Sequence, residues 1–168
     1  FALECHWQAS IFGVSGHYLA AIAALRSNIV DGAGNDGTVG PYRFSPAEWM
    51  ANATQPQFQL AAPAAAIGSW SLQVAVFAIM ARLMQVRVAS LLGSQPTATE
   101  LCFAQMVGSR SLAAALQNTA QPVAALIGSI DGATALAEGI DVANLTGRDA
   151  GTLGTGSVAD ALTSISAA

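Results

Sequence analysis

The sequence predicts an all-α protein built as one helical domain. Apolar residues recur at helical spacing along almost the whole chain, and several segments begin at a capping residue and end at a glycine. A chain of 168 residues is the size of one domain with one hydrophobic core. We therefore expect a helical domain over residues 1–146. A tail rich in Gly, Ser, Thr and Ala follows over residues 147–168, and it either packs on the domain or is flexible.

The first half of the chain contains three predicted helices, over residues 2–12, 17–28 and 45–53. The first ends at Gly13. Residues 30–45 are rich in glycine and aspartate, which favours a loop between the second and third helices. Ser45 is a helix cap, followed by a proline in the first turn and by Glu48 three residues later. Residues 54–68 hold alanine, proline and glutamine and predict no definite element.

The second half contains six further predicted helices, over residues 71–92, 96–107, 109–117, 122–127, 132–138 and 158–165. The longest of them has apolar residues at helical spacing and stops at Gly93. The next opens with a capping pattern over residues 96–100. Residues 151–157 alternate glycine with threonine and serine, so we expect a flexible or extended passage there.

Charge and hydropathy argue against two classes of function, nucleic-acid binding and membrane spanning. All six basic residues are arginines, and ten acidic residues bring the net charge to -4. Because nucleic acid binding depends on clustered cations, we expect none. The uncharged run Leu60–Ala81 is long enough to cross a bilayer. It is interrupted by Pro63, Gly68 and Gln73 and contains more alanine than leucine, so we expect a buried helix and no membrane span.

Two neighbouring segments carry the most specific pattern in the chain. Residues 18–28 read YLAAIAALRSN, an apolar helical stretch that contains Arg26 and Ser27 near its end. Residues 37–49 read GTVGPYRFSPAEW and contain Arg43. These segments resemble the first two motifs of the lytic transglycosylase and goose-type lysozyme superfamily, helical proteins that cut the glycan strands of peptidoglycan.

The resemblance implies a lysozyme-like fold with an altered site. In that family the first motif reads Ala-Ile-Ala-x-x-Glu-Ser, and its glutamate is the catalytic acid. The second motif has a glutamine that lines the substrate groove. Here Arg26 stands at the glutamate position and Arg43 at the glutamine position. Glycosidic cleavage needs a carboxylic acid that gives its proton to the leaving oxygen, and a guanidinium does not give up its proton in proteins.

A third segment fits the same frame. Residues 100–108 read ELCFAQMVG, where phage-type relatives have Glu-Leu-Tyr-Leu-Ala-His-x-x-Gly. Counting back from Gly108 puts Gln105 at the Tyr or His position and Met106 at the Asn position. The scaffold residues match and the polar residues do not. The resemblance thus implies a groove lined by Arg26, Ser27, Tyr42, Arg43, Gln105 and Met106, while Trp49 packs in the frame.

Each arginine also has a structural interpretation. If the alignment is shifted, Arg26 and Arg43 are solvated surface residues. If it holds, two neighbouring cations repel each other unless an acid lies between them, and Glu48, Asp36 and Glu100 are the candidate partners. A carboxylate or phosphate of a bound ligand is the functional alternative, because the guanidinium fork matches such groups. We favour the internal ion pair, since buried charges need partners whatever the function.

The chain has two cysteines and two histidines. Cys5 and Cys102 could pair as a disulfide or stay as thiols if the protein is exported, and pairing is less favoured in the cytosol. His6 and His17 lie on different predicted helices, with no cysteine or acid at ligand spacing. We therefore expect no metal site and no cofactor.

Three functional hypotheses follow. In the first, the chain is a catalytically inactive relative of the transglycosylases, a periplasmic or extracellular bacterial module that binds glycan strands or scaffolds a protein of an envelope assembly. In the second, it is an active muramidase with another acid, Glu48 or Glu100. In the third, it is a helical interaction protein with no link to peptidoglycan. We favour the first.

Overall fold

The computed structural model describes residues 1–168 and is mostly helical, which confirms the all-α expectation. Its α-helices are α1 (Ala2–Phe12), α2 (Gly16–Ser27), α3 (Pro46–Asn52), α4 (Trp70–Leu92), α5 (Ala98–Val107), α6 (Ser109–Gln117), α7 (Val123–Gly128), α8 (Gly132–Ala137), α9 (Ala150–Leu153) and α10 (Val158–Ala167). Short 3-10 helices cover Pro56–Phe58, Ala64–Gly68 and Val142–Leu145. The one sheet has two antiparallel strands, β1 (Thr54–Gln55) and β2 (Leu60–Ala61), with Thr54 opposite Ala61.

Local capping explains where several helices begin and end. The Ser45 hydroxyl accepts a hydrogen bond from the Glu48 amide at 3.1 Å, which satisfies a donor in the first turn of α3. Thr97 and Glu100 form a reciprocal capping box at the start of α5. Gly13 ends α1 in the left-handed conformation. The sequence predicts all three of these boundaries.

The chain divides into two compact units, residues 1–82 and 83–168. This division falls at a different point from the boundary near residue 146 that the composition suggests. Within the second unit, residues 147–168 are folded, because α10 packs against α5 and α9. Val158, Ala161 and Ile165 of α10 are buried there.

The core of the first unit is aromatic. Tyr42 stacks on Phe77 with ring centres 4.3 Å apart, and Phe44 meets Trp49 edge to face at 5.5 Å. All four rings are fully buried, and each such burial stabilises the fold by roughly 2 kcal/mol. The Trp49 indole N–H donates to the Pro63 carbonyl at 3.2 Å, so Trp49 packs in the core with its one polar group satisfied. This cluster fixes the segment that carries Arg43.

Helix α4 is the one helix long and apolar enough to cross a membrane by length and composition. Residues 73–81 of α4 are all buried within the fold. A buried core helix has the same length and composition as a spanning one. Its one buried polar side chain is that of Gln73, which lies near the start of this run.

Candidate functional site

Arg26 lies in the last turn of α2, where a cation is favourable beside the helix carbonyl groups. Its Nη1 donates to the Tyr42 carbonyl at 3.3 Å. The guanidinium carbon lies 5.2 Å from the centre of the Phe77 ring, a cation–π geometry. The side chain is half-buried. At the position that the resemblance assigns to the acid, the chain therefore has a cation held by a backbone oxygen and an aromatic face.

Ser27 joins the end of α2 to the following loop. Its Oγ donates to the Pro41 carbonyl at 2.8 Å and lies 3.1 Å from the Ala23 carbonyl. The same oxygen accepts a hydrogen bond from the Val30 amide at 3.2 Å. Ser27 thus holds the glycine-rich loop against the helix that carries Arg26.

Tyr42 is a core residue, and the expectation that it lines the groove is corrected here. Its hydroxyl donates to the Leu19 carbonyl at 3.1 Å and lies 3.7 Å from the Cys5 sulfur. Burial raises the pKa of the Tyr42 phenol far above its usual value, and the Cys5 thiol adds to that rise. The reason for its position is the stacking on Phe77, which turns the ring inward.

Arg43 is half-buried and has a φ of 51°, which is left-handed backbone. Its Nη1 donates to the Gly32 carbonyl at 3.2 Å. The pKa of Asp36 is lowered, first by its hydrogen bond from the Thr38 hydroxyl and further by the positive charge of Arg43. Asp36, one of the three acids that could compensate the arginines, thus interacts electrostatically with Arg43.

Glu48 and Glu100, the two alternative catalytic acids, both have structural positions: Glu48 is buried and Glu100 is hydrogen-bonded at a helix start. The Glu48 side chain on α3 is fully buried. Glu100 belongs to the second unit, where its Oε2 accepts hydrogen bonds from the Thr97 amide at 2.7 Å and from the Thr97 hydroxyl at 2.9 Å. The Glu100 carboxylate therefore caps α5.

Gln105 and Met106 lie in α5 of the second unit, where every residue from 101 to 107 is buried. Their exposed fractions are 1% and 2%. We correct the expectation that they line an open groove, because both side chains are buried in the interior of the second unit. Within the first unit, by contrast, the structure brings Arg26, Ser27 and the Tyr42 carbonyl together.

Cys5 and Cys102 are both buried thiols, and no disulfide joins them. The Cys5 sulfur instead contacts the Tyr42 hydroxyl, and burial raises the pKa of the Cys5 thiol. The hairpin of α1 and α2 brings the rings of His6 and His17 together, with centres 5.0 Å apart and planes nearly perpendicular. No group of three or more His, Cys, Asp or Glu side chains is placed to hold a metal ion.

No protein-family model and no curated protein matches this chain.

Gln73 is the residue of this region that sequence reasoning missed. Its Nε2 donates to the Val39 carbonyl at 2.9 Å and to the Ile67 carbonyl at 2.5 Å. Its Oε1 accepts a hydrogen bond from the Tyr42 amide at 3.2 Å. One buried amide thus holds the segment between the two arginines in place. The signal in the sequence is a single glutamine inside an apolar helical run, where a polar side chain must find partners.

Proposed function

We propose that this chain is a catalytically inactive, transglycosylase-like module of the bacterial cell envelope, which binds or scaffolds and does not cleave. It acts in the periplasm or outside the cell. Its partner is the glycan of peptidoglycan or a protein of an envelope assembly.

The observation that carries this proposal is the setting of Arg26. At the position where the resemblance requires a proton donor, the chain has a permanent cation that donates to the Tyr42 carbonyl and lies over the Phe77 ring. Both contacts favour a positive charge, because a carbonyl oxygen and an aromatic face are electron-rich. The local structure therefore suits arginine at this position and would repel a carboxylate.

The alternative of an active muramidase has less support. A general acid must come within hydrogen-bond distance of the leaving oxygen of the substrate. The fully buried Glu48 side chain would have to leave the interior to do so. The Glu100 carboxylate would have to give up its two hydrogen bonds to Thr97.

A row of exposed apolar side chains on α1 supports a protein partner. Leu3, Trp7 and Ile11 lie one turn apart along the helix and are 84%, 60% and 55% exposed. Monomeric proteins rarely expose contiguous apolar patches of this kind without a function. The row favours the scaffold form of the proposal, and a helical interaction protein without a link to peptidoglycan would also use it.

Digestion of purified peptidoglycan sacculi tests the catalytic half of the proposal. We expect the wild-type chain to release no muropeptides, and release that appears only in Arg26→Glu would support the proposal further. Arg82→Glu makes the same charge reversal at an arginine outside the motifs and serves as the control. Release by the wild type that disappears in Glu48→Gln would establish the active alternative instead.

Sedimentation with sacculi tests the binding half. Retention of the uncleaved chain on sacculi supports glycan binding. Lack of retention leaves a protein partner, and in that case Trp7→Lys should abolish a specific complex in envelope extracts while Arg82→Glu should not. If the chain neither binds sacculi nor forms such a complex, the proposal is wrong.

A further inference from the structure

The second unit contains an open cavity of about 310 Å³ between α6, α7 and α8. Its walls are largely apolar and include Val107, Leu126, Ile130 and Ala135. Small-molecule sites are concave, mostly apolar and lined by a few polar groups, and this volume is at the lower end of their range. The cavity therefore has the size and lining of a site for a small ligand.

Two acidic side chains at this cavity accept hydrogen bonds at the N-terminal ends of helices. The Glu138 carboxylate accepts hydrogen bonds from the Ser109 amide at 2.6 Å and from the Ser109 hydroxyl at 3.0 Å, at the start of α6. Asp131 Oδ1 accepts a hydrogen bond from the Thr134 amide at 2.6 Å and caps α8. Each negative charge is thus offset by the positive end of a helix.

Unlike Glu138 and Asp131, the third charged group of the cavity, Arg110, has no hydrogen-bond partner. Its side chain is exposed and makes no hydrogen bond or ion pair in the structure. It lines this cavity and also an adjoining one of about 510 Å³, with Thr134 and Glu138 in both. Arg87, which lines the adjoining cavity, donates to the Glu138 carbonyl at 3.1 Å and is already engaged.

We propose that the cavity binds a small organic carboxylate, which pairs with Arg110 and lays its apolar body against Val107, Leu126 and Ile130. A planar guanidinium presents two parallel donors to a carboxylate. The apolar walls add affinity for a hydrocarbon body and none for an inorganic anion. A free organic acid and the C-terminal residue of a peptide share this chemistry. The site lies in the second unit and does not depend on the proposed role in the envelope.

An NMR titration of the full chain with 3-phenylpropionate tests the proposal. We expect saturable shifts of the amide signals of Val107, Leu126 and Ile130. Arg110→Ala should weaken binding by about tenfold or more, because a hydrogen-bonded charge pair is lost. Arg82→Ala removes an arginine outside the cavity and should leave the affinity unchanged. The neutral analogue 3-phenylpropan-1-ol should bind the wild type about as weakly as the acid binds Arg110→Ala.

Two peptide arms identify the source of the carboxylate. Tighter binding of an acetylated tripeptide that ends in leucine, lost when its C-terminus is amidated, assigns the site to a peptide terminus. Equal or tighter binding of the free acid assigns it to a small acid. Because Arg110 is exposed, its removal should leave the circular dichroism spectrum unchanged. No saturable shift with either probe, or an equal affinity of wild type and Arg110→Ala, would overturn the proposal.

Discussion

Replacing Gly40 with alanine should disrupt the first unit through the Gln73 side chain. Gly40 has a φ of 74°, and an added Cβ would lie 2.5 Å from Gln73 Cδ. Real Cβ atoms essentially never approach a neighbour so closely. Because the Gln73 amide is bonded on three sides, it cannot turn aside without breaking hydrogen bonds.

The cost follows from the groups that would lose a partner. The Val39 carbonyl would keep the Phe44 amide at 3.1 Å. The Tyr42 amide would be left buried without its acceptor, and the Ile67 carbonyl without its donor. A buried amide costs about 1–3 kcal/mol and a half-buried carbonyl less. Alanine in left-handed backbone adds about 1 kcal/mol. We therefore expect a loss of about 4 kcal/mol in the free energy of unfolding.

Urea unfolding followed by tryptophan fluorescence measures this loss. Trp7, Trp49 and Trp70 all lie within residues 1–82, so the emission reports on the first unit. Gly37→Ala is the matched control, because Gly37 has a φ of 78° and an added Cβ meets nothing within 4 Å. That variant should lose only the backbone cost of about 1 kcal/mol.

A double mutant separates the clash from the strain. Gln73→Ala alone leaves the same backbone groups without their hydrogen-bond partner. In the double variant, Gly40→Ala with Gln73→Ala, the new methyl group no longer meets the Gln73 side chain. The double variant should therefore lose less than the two single losses added together. Equal losses in Gly40→Ala and Gly37→Ala, or strict additivity in the cycle, would show that a methyl group at position 40 does not clash with Gln73.

Three further predictions concern buried polar groups. Burial raises the Tyr42 pKa, so the native state keeps a proton that the unfolded state loses above about pH 10. Above that pH the free energy of unfolding should fall by up to about 1.4 kcal/mol per pH unit. An equally steep fall in Tyr42→Phe, measured by urea unfolding, would contradict this. The buried, raised-pKa Cys5 thiol should react with a disulfide reagent at about pH 8 only after urea unfolding, whereas rapid labelling of the native protein would show an open core. Asp149→Ala should lower the free energy of unfolding of the second unit by about 1.5–3 kcal/mol, because it removes two 2.8 Å hydrogen bonds between Arg148 and a buried carboxylate, and urea unfolding followed by circular dichroism measures this. A loss below about 1 kcal/mol would mean that other groups compensate Arg148.

Helix boundaries were predictable where the signal is local. Ser45 and Thr97 cap helices through atoms within three residues, and Gly13 ends one through its own backbone conformation. Residues 54–68 carry neither a capping signal nor a helical periodicity. The structure forms a short hairpin there, with two residues in each strand, and 3-10 turns. Local sequence therefore predicts a helix boundary where a capping side chain or a left-handed glycine marks it, but it did not predict α9, which overlaps the passage expected to be flexible or extended.

Burial at the candidate site was not predictable, because it depends on residues distant in the chain. Tyr42 is drawn inward by Phe77, which lies 35 positions later, and its amide is held by Gln73, 31 positions away. The meeting of His6 with His17 depends on the hairpin of α1 and α2. A motif could name the positions of Arg26 and Arg43, but only packing decided what each side chain contacts.

Arg43 has left-handed backbone, a conformation that favours glycine, and its side chain affects how readily the loop before it opens. Left-handed backbone costs a residue with a side chain about 1 kcal/mol. The Arg43 guanidinium offsets this by reaching across to the Gly32 carbonyl and by attracting Asp36. Arg43→Gly would relax the backbone and release the loop at the same time, so the two effects would nearly cancel in the free energy of unfolding. They would not cancel in the rate at which residues 31–38 open, and hydrogen exchange or proteolysis of that loop should be faster while the global stability hardly changes.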